Sequence, residues 1–280
     1  MRSVEGGESR DRSDLLAVEE PLEVRVVVEE GGRRHRHRIA VTMRTPGHDF
    51  ELAAGFLHSE GALADGAAVA GIAYCEDGGV EEARNVVELT LAPGVAFDAA
   101  RFSRNIYTSS SCGICGRGSL ELVRAALPAS PETVPAGPRL DDEMLLALPS
   151  RLAAAQATFA ATGGLHAAAL FDAAGVLEMV REDVGRHNAV DKVVGALLLD
   201  GRLPVDDRLL LVSGRASFEL VQKAVLAGLP VLAAVGAPSS LAVELAHDHG
   251  MTLIGFLRDG RFNLYTGHDR VALVGREPGC

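Results

Sequence analysis

Two cysteines separated by two residues have the clearest chemical potential in this sequence. Cys112 and Cys115 lie in the segment TSSSCGICGRGS, which is rich in glycine and small hydroxyl residues and is predicted to form a loop. A helix is predicted over 118–127, directly after this loop. A helix N-terminus and nearby Arg117 favour the thiolate, which is the nucleophilic form of cysteine. The pattern therefore predicts a redox-active or nucleophilic thiol.

Half of a zinc site is the alternative interpretation of the same pair. A structural zinc ion takes four ligands, and the remaining cysteines, Cys75 and Cys280, are isolated in the sequence. Zinc nucleobase deaminases carry H-x-E followed by P-C-x-x-C. The triplet HSE at 58–60 does precede the cysteine pair, but Ser111 stands in place of the proline. Metal binding therefore stays open, with less support than thiol chemistry.

A second cluster of polar residues lies in the segment REDVGRHNAVDKVVG, at a predicted turn from a strand into a helix. Doubly wound sheets bind ligands where strand ends lead into helix N-termini. Arg186 and His187 are therefore predicted to contact a ligand. In the purely structural alternative, Asp183 caps the helix, and Asp191 and Lys192 are exposed.

The segment SGRASFELVQKA repeats this arrangement. Ser213, Gly214 and Arg215 follow a predicted strand and precede a predicted helix. Backbone N–H groups and one guanidinium at such a turn can hold an anion. The chain contains no GxxxxGK[ST] segment, so the turn is not a P-loop. By contrast, His166 lies in an apolar strand and is predicted to be a hydrogen-bonded core residue.

Hydrophobic patterning divides the chain into three parts. Residues 1–18 are polar and are predicted to be a disordered tail. Residues 19–107 alternate apolar and polar positions around one helix, which predicts a smaller, mainly antiparallel β region. Residues 108–280 alternate apolar strands with amphipathic helices, which predicts a largely parallel α/β sheet covered on both faces. Within this part, a helix break is expected at Pro149.

Charge and composition exclude several classes of protein. The chain has 27 Lys and Arg against 38 Asp and Glu, a net charge of −11, which argues against general nucleic-acid binding. The polar N-terminal residues contain no apolar signal segment. Two uncharged stretches, 152–171 and 224–243, are interrupted by glycine and polar residues, and no membrane span is expected. We therefore expect a cytoplasmic protein with free thiols.

The motifs together resemble the formate dehydrogenase accessory sulfurtransferase family, FdhD. The matching segments extend from Thr45 to Thr266 and are TPGHDFELAAGFLHSEG, SCGICG, TGGLHAAAL, EDVGRHNAVDKVVG, SGRASFELVQKA and GFLRDGRFNLYT. This resemblance implies a cytidine-deaminase-like, three-layer αβα domain. The cysteine loop would belong to that domain.

The resemblance also implies a function in sulfur transfer. A cysteine desulfurase would place a persulfide on Cys112, with Cys115 as its partner. The sulfur would then pass to the molybdenum or tungsten of bis-molybdopterin guanine dinucleotide, the cofactor of formate dehydrogenase. The family's cofactor-binding segment corresponds here to Phe256, Leu257, Arg258, Asp259, Gly260 and Arg261.

The expected ligand is large and carries phosphates. Such groups suit the arginines near the predicted strand ends, and a guanine nucleotide is expected to mimic the ligand. Its size predicts a homodimer or a cleft between domains. Two alternatives share these residues: a cofactor chaperone without covalent sulfur, and a zinc-dependent deaminase.

Overall fold

The computed structural model of the chain describes residues 1–75, 84–102 and 137–273. The predicted cysteine loop and the predicted helix over 118–127 lie outside these residues, as does Cys280. The described residues form a four-stranded sheet, a six-stranded sheet and two small two-stranded sheets, with helices packed between and around the two larger ones.

The first residues of the chain pair with each other. Strands β1 (Arg2–Glu5) and β2 (Glu8–Asp11) form an antiparallel hairpin. Gly6 and Gly7 have φ of 59° and 86° in the two-residue turn, a conformation that glycine adopts without strain. The prediction of a disordered tail is therefore corrected for this hairpin, which arises from turn chemistry although β2 is exposed along its length.

A four-stranded sheet follows and confirms the predicted β region. Its strands are β3 (Glu20–Glu30), β4 (Arg33–Arg44), β5 (Val69–Tyr74) and β6 (Val86–Leu91), in the order β4-β3-β6-β5. All pairs are antiparallel except β3 with β6. Helix α1 (Asp49–Ser59) packs Leu52 and Leu57 against Val24 and Val26 of β3. A short helix, α2 (Ala99–Phe102), follows β6.

The larger sheet lies in the second half of the chain. Its strands are β8 (His166–Phe171), β9 (Leu177–Asp183), β10 (Leu209–Val212), β11 (Val231–Ala234), β12 (Thr252–Arg258) and β13 (Arg261–Thr266), in the order β13-β12-β11-β10-β8-β9. A two-residue strand, β7 (Leu140–Asp141), pairs separately with β14 (Val271–Ala272).

Helices cover both faces of the larger sheet. They are α3 (Asp142–Ala155), α4 (Ala157–Thr162), α5 (Arg186–Leu199), α6 (Phe218–Leu226) and α7 (Ser240–Asp248). Leu210 and Leu232 pack against α5, α6 and α7, whereas Leu211 and Val231 pack against α3 on the opposite face. This arrangement is the expected three-layer αβα fold. Among the residues described, no helix combines the length and apolar character that crossing a membrane requires.

The larger sheet is mixed rather than largely parallel. Strands β10, β11 and β12 are parallel to each other, but β8, β9 and β13 each pair in antiparallel fashion. Short turns join β8 to β9 and β12 to β13, and a turn of a few residues can connect only antiparallel strands. The expectation of a largely parallel sheet overlooked these short turns.

The expected helix break at Pro149 is also wrong. Helix α3 continues through Pro149 to Ala155. Proline removes one backbone donor, yet Leu145, Leu148 and Leu152 are buried along one side of the helix and stabilise it. The break comes instead at Gln156, where α3 ends and α4 begins.

Helices α1 and α5 connect the two sheets through direct backbone contact. A Cβ atom at Gly55 would overlap the carbonyl oxygen of Asp191, and one at Gly195 would overlap that of Glu51. Only glycine permits this approach. The crossing therefore places the residues before α1 against the turn between β9 and α5.

Candidate functional site

Several strand ends meet at one edge of the larger sheet. The parallel strands β10, β11 and β12 end there. Ser213 follows β10, Gly236 follows β11, and Phe256 lies near the end of β12. Because β8 runs in the opposite direction, its first residue, His166, lies at the same edge, paired with Asp183 at the end of β9. Ligands bind at such edges in open α/β sheets. We call this group of residues, with the adjoining turns, the strand-end edge.

The turn after β10 is fixed by backbone hydrogen bonds. Ser213 donates its backbone N–H to Ala167 O, and its Oγ accepts from Ala167 N, both at 2.9 Å. Gly236 donates to Gly214 O at 2.9 Å, and a Cβ atom at Gly236 would lie 3.0 Å from Arg215 Cγ. The bare backbone at Gly236 thus lets the ends of β10 and β11 approach closely. Arg215 itself is exposed.

Arg186, the first residue of α5, lies close to Gly214 in the turn after β10. A Cβ atom at Gly214 would lie 3.4 Å from His166 Nδ1 and 3.9 Å from Arg186 Cδ. The Nε atom of Arg186 is buried and has no hydrogen-bond partner among residues 1–75, 84–102 and 137–273. A buried donor of this kind usually has a partner. Its environment is therefore suited to an anionic ligand.

Two helices present their first turns to this edge without a side-chain cap. The N-cap residues of α5 and α6, Gly185 and Ser217, make no capping hydrogen bond through a side chain, whereas Ser239 of α7 accepts from Ala242 N at 3.3 Å. Uncapped N–H groups and the helix dipole both favour a negative charge nearby. The predicted N-cap role of Asp183 is therefore wrong, since Gly185 occupies that position.

His187 links the starts of α5 and α6. Its Nε2 atom lies 2.7 Å from Glu219 Oε2 and 3.4 Å from Ser217 Oγ. The hydrogen bond from His187 lowers the pKa of Glu219, and nearby Lys223 and Arg186 add to this effect against the opposing influence of burial. The imidazole is thereby held in one orientation beside the edge.

A buried carboxylate holds the turn that carries Arg186 and His187. Asp183 is fully buried and accepts hydrogen bonds from Gly185 N at 2.8 Å and Thr45 N at 3.1 Å. Lys192 Nζ lies 2.7 Å from Asp183 Oδ2 and also donates to Thr45 O at 2.9 Å. Thr45, in the segment before α1, thus helps to fix the turn between β9 and α5 at the strand-end edge.

A second buried pair involves Asp191, the residue directly before Lys192 in α5. Lys223 of α6 donates to Asp191 at 2.6 and 2.8 Å, and Ser59 of α1 donates to Asp191 at 2.9 Å. Burial raises the pKa of Asp191, and the contacts with Lys223 and Ser59 oppose that shift. The structural alternative, in which Asp191 and Lys192 are exposed, is wrong because both are about as buried as the core leucines, at 2% and 1% exposure.

The segment 256–261 lies at the same edge, although its residues differ in role. Phe256 has a φ of 53°, rare for a non-glycine residue, and donates its N–H to Gly236 O at 2.9 Å. Leu257 is completely buried in the core beneath α3. Asp259 and Gly260, both with positive φ, form the two-residue turn between β12 and β13.

The arginines of this segment flank the turn. Arg258 and Arg261 are paired in the β12–β13 register and are exposed. The guanidinium of Arg258 lies 5.9 Å from the centroid of the Phe256 ring, within range of a cation–π contact. The fold therefore brings all the predicted ligand-binding residues to one edge, with the side chain of Leu257 turned into the core.

His166 is a residue of this edge that the sequence analysis did not select. Its backbone pairs with β9, but its half-buried side chain makes no hydrogen bond with any other described residue, so its predicted role as a hydrogen-bonded core residue is wrong. Burial lowers its pKa, and the charges of Arg186 and His187 lower it further, while Asp183 acts in the opposite direction. Its place at the first residue of a strand, two residues after Gly164, was the available signal.

The residues of the H-x-E triplet do not form a metal centre in the described structure. The two ring nitrogens of His58 face backbone carbonyl oxygens, of Leu63 at 3.0 Å and Leu226 at 3.3 Å. In the ranges 1–75, 84–102 and 137–273, no group of three His, Cys, Asp or Glu side chains is placed to hold a metal ion. The cysteine pair Cys112 and Cys115 lies outside these ranges.

Comparison with known proteins identifies relatives over nearly the whole chain. The model of the FdhD/NarQ family matches residues 17–272. The sulfur carrier protein FdhD of Streptomyces avermitilis is 52% identical over 272 residues, covering 96% of this chain and 93% of the relative. The protein of the same name from Mycolicibacterium paratuberculosis is 53% identical, covering 95% and 94%.

A solved structure shares the fold. The crystal structure of a formate dehydrogenase accessory protein from Desulfotalea psychrophila superposes with a TM-score of 0.72, covering 97% of each chain at 23% sequence identity. The family match spans both sheets and every residue of the strand-end edge. The chain therefore belongs to the FdhD/NarQ family.

Proposed function

We propose that this protein is a sulfurtransferase that carries sulfur as a persulfide on Cys112, with Cys115 as its partner thiol. A cysteine desulfurase is the proposed donor. Bis-molybdopterin guanine dinucleotide is the proposed acceptor, as the substrate that formate dehydrogenase later uses as its cofactor. Membership of the family and the C-x-x-C segment of the sequence support this proposal, as do relatives named sulfur carrier proteins.

Loading of sulfur requires no external oxidant. The Cys112 thiolate attacks the outer sulfur of the donor's persulfide, and a new S–S bond forms on Cys112. The S–S bond within the donor breaks, and its cysteine leaves as a thiolate. One disulfide-type bond is exchanged for another, so the electrons balance.

The strand-end edge is the proposed binding site for the acceptor. The observation that supports this most directly is the buried Nε atom of Arg186, which lacks a partner among the described residues and lies beside the uncapped N-terminus of α5. Arg215, Arg258 and Arg261 add exposed positive charge at the same edge. This set of donors fits phosphate groups, and the acceptor itself would supply the metal that receives the sulfur.

Mass spectrometry after incubation with a desulfurase and cysteine tests the covalent step. The wild-type protein should gain one sulfur atom, on the peptide that contains Cys112. The Cys112→Ala protein should gain none there, and Cys75→Ala serves as a matched control that should load normally. An unchanged wild-type mass, or full loading of Cys112→Ala, would contradict the assignment.

Complementation separates sulfur transfer from a chaperone function. A strain lacking this protein should make folded but inactive formate dehydrogenase. The double variant Cys112→Ala/Cys115→Ala should not restore activity, although its strand-end edge is unchanged. Full restoration by the double variant would show that the protein delivers the cofactor without carrying sulfur.

Binding of GDP tests the strand-end edge. Charge-assisted hydrogen bonds contribute roughly 1.5–3 kcal/mol, so Arg215→Ala should weaken GDP binding about tenfold or more. Arg208→Ala is the matched control, because Arg208 precedes β10 and therefore lies at the opposite end of the same strand. Titration calorimetry that finds equal affinity for Arg215→Ala and wild type would contradict a contact with phosphate.

A further inference from the structure

His166 and Arg186 form an unusual pair at the strand-end edge. Both border the space above Gly214, at 3.4 and 3.9 Å from the position of a Cβ atom there. Neither side chain makes a hydrogen bond to any residue in the described parts of the chain. Side chains this close to the interior normally have partners. The two groups are therefore placed to share a ligand.

The charges around His166 come from two neighbouring elements. Helix α5 contributes Arg186 and His187, and β9 contributes Asp183. The turn after β10 places Gly214 next to His166, and its exposed Arg215 is not among the charges that shift the pKa of His166. Asp183 is already occupied by Lys192, Thr45, Gly185 and Asn188 and offers His166 little compensation. The free site consequently disfavours a positive charge on the imidazole.

We infer that His166 takes up a proton when a phosphate group binds beside Arg186, so that nucleotide binding at the strand-end edge is coupled to protonation. This inference rests on the proposed binding of a guanine nucleotide at that edge. The phosphate's negative charge would offset the neighbouring cations, and the protonated ring would donate a hydrogen bond to it. The proton comes from solvent and returns there when the ligand leaves.

This coupling has a defined direction. In the free protein, burial and the cations of α5 lower the pKa of His166 below its ordinary value of 6.5, so the ring is neutral at pH 7. A bound anion raises the pKa, and binding then becomes tighter as the pH falls towards 6. The ligand would be held more firmly in slightly acidic conditions and released more readily in alkaline ones.

Titration calorimetry with GDP at pH 6.5, in buffers of different ionisation enthalpy, measures the protons taken up on binding. Wild type should take up between roughly half a proton and one proton more than His166→Gln. Phosphate titrates equally in both proteins, so the difference isolates His166. His249→Gln is the matched control, because burial also lowers the pKa of His249, which lies before β12 at the opposite end of the sheet.

The affinity and the histidine resonance provide independent readouts. The ratio of the GDP affinity of wild type to that of His166→Gln should be measured at pH 6 and at pH 8. We expect this ratio to be about threefold higher at pH 6. NMR should show the pKa of His166 rising when GDP is added. Inorganic phosphate and pyrophosphate, titrated in parallel, distinguish a general phosphate site from one that requires the nucleoside.

Each outcome decides a different point. GDP binding with equal proton uptake in wild type and His166→Gln would overturn the inference and leave the nucleotide site intact. Absence of GDP binding at every pH would overturn both. Sulfur loading of Cys112 is measured separately and would be unaffected by either result.

Discussion

Charged side chains near the strand-end edge are held by partners from other elements of the fold. His187 meets Glu219 across the α5–α6 interface, and Lys223 meets Asp191 one turn below. Buried pairs of this kind add little net stability when intact, but a single unpaired member is costly. Their arrangement therefore determines where the imidazole of His187 points more than it strengthens the fold.

Glu219 makes the stability of the fold depend on pH. Its pKa is lowered from the ordinary value of 4.5, chiefly by the hydrogen bond from His187. The ionised carboxylate therefore stabilises the folded state above pH 4.5, and this contribution disappears as the pH falls through the lower pKa of the folded protein. Glu219→Gln should lower the free energy of unfolding by roughly 1 kcal/mol at pH 7.

The loss should be smaller at pH 3 than at pH 7, as measured by urea unfolding at the two pH values. Glu244→Gln, on the exposed side of α7, is the control and should change stability little at either pH. A loss for Glu219→Gln that is equal at pH 3 and pH 7 would show that its charge does not contribute.

Among the elements, the crossing of α1 and α5 has the tightest geometric requirement. Gly55 and Gly195 face the partner helix's backbone with no space for a Cβ atom. The crossing also places Thr45 where Asp183 and Lys192 bind it. Separation of these helices would therefore disturb the turn that carries Arg186 and His187.

Alanine at either glycine should destabilise the protein. In an isolated helix, Gly→Ala stabilises by about 1 kcal/mol, but overlap with a backbone carbonyl requires the helices to separate. We expect Gly195→Ala to lower the free energy of unfolding by about 2 kcal/mol and to weaken GDP binding. Gly71→Ala is the control, because that position in β5 has open space around it. Unchanged unfolding and binding in Gly195→Ala would contradict the described crossing.

At the scale of the whole molecule, the cores of the two larger sheets meet at the packed helices α1 and α5. Helix α1 packs on the smaller sheet with one face and on α5 with the other, and Leu198 of α5 belongs to the core of the smaller sheet. Separation of α1 from α5 would therefore expose apolar side chains that belong to the cores of both sheets. The boundary expected near residue 107 marks a change in hydrophobic pattern along the sequence. That it also separates two domains remains a prediction.

Hydrogen exchange should reveal this contact between the two cores as joint unfolding. Amides of β3 and of β10 should exchange with the same free energy of opening, and that value should fall equally with added urea. The exposed β1–β2 hairpin is the internal control and should exchange rapidly throughout. Exchange of β3 at a clearly lower free energy than β10 would show that the smaller sheet unfolds independently.

Local patterns were sufficient for much of the fold and for part of the site. Alternating apolar and polar positions over residues 19–107 predicted a mainly antiparallel β region, which the structure confirms with the β3–β4 hairpin and its turn at Gly31 and Gly32. The strand-to-helix turns at Arg186 and at Ser213–Arg215 were also predicted, because glycine and polar residues directly follow an apolar strand at both places. These features depend on short-range steric and hydrogen-bonding preferences.

The sequence by itself therefore determined the β-rich first part, the strand-to-helix turns at Arg186 and Ser213 and the polar residues of those turns, but not the N-terminal hairpin or the course of α3 through Pro149. The tertiary structure alone decided that β8 pairs in antiparallel fashion with β10, and hence that His166 joins Arg186 at one edge. It also decided that Asp191 and Lys192 are buried and paired. The physical reason is that the pairing of β8 with β10 and the burial of these charges depend on contacts between residues far apart in the chain. No local pattern of residue types records such contacts.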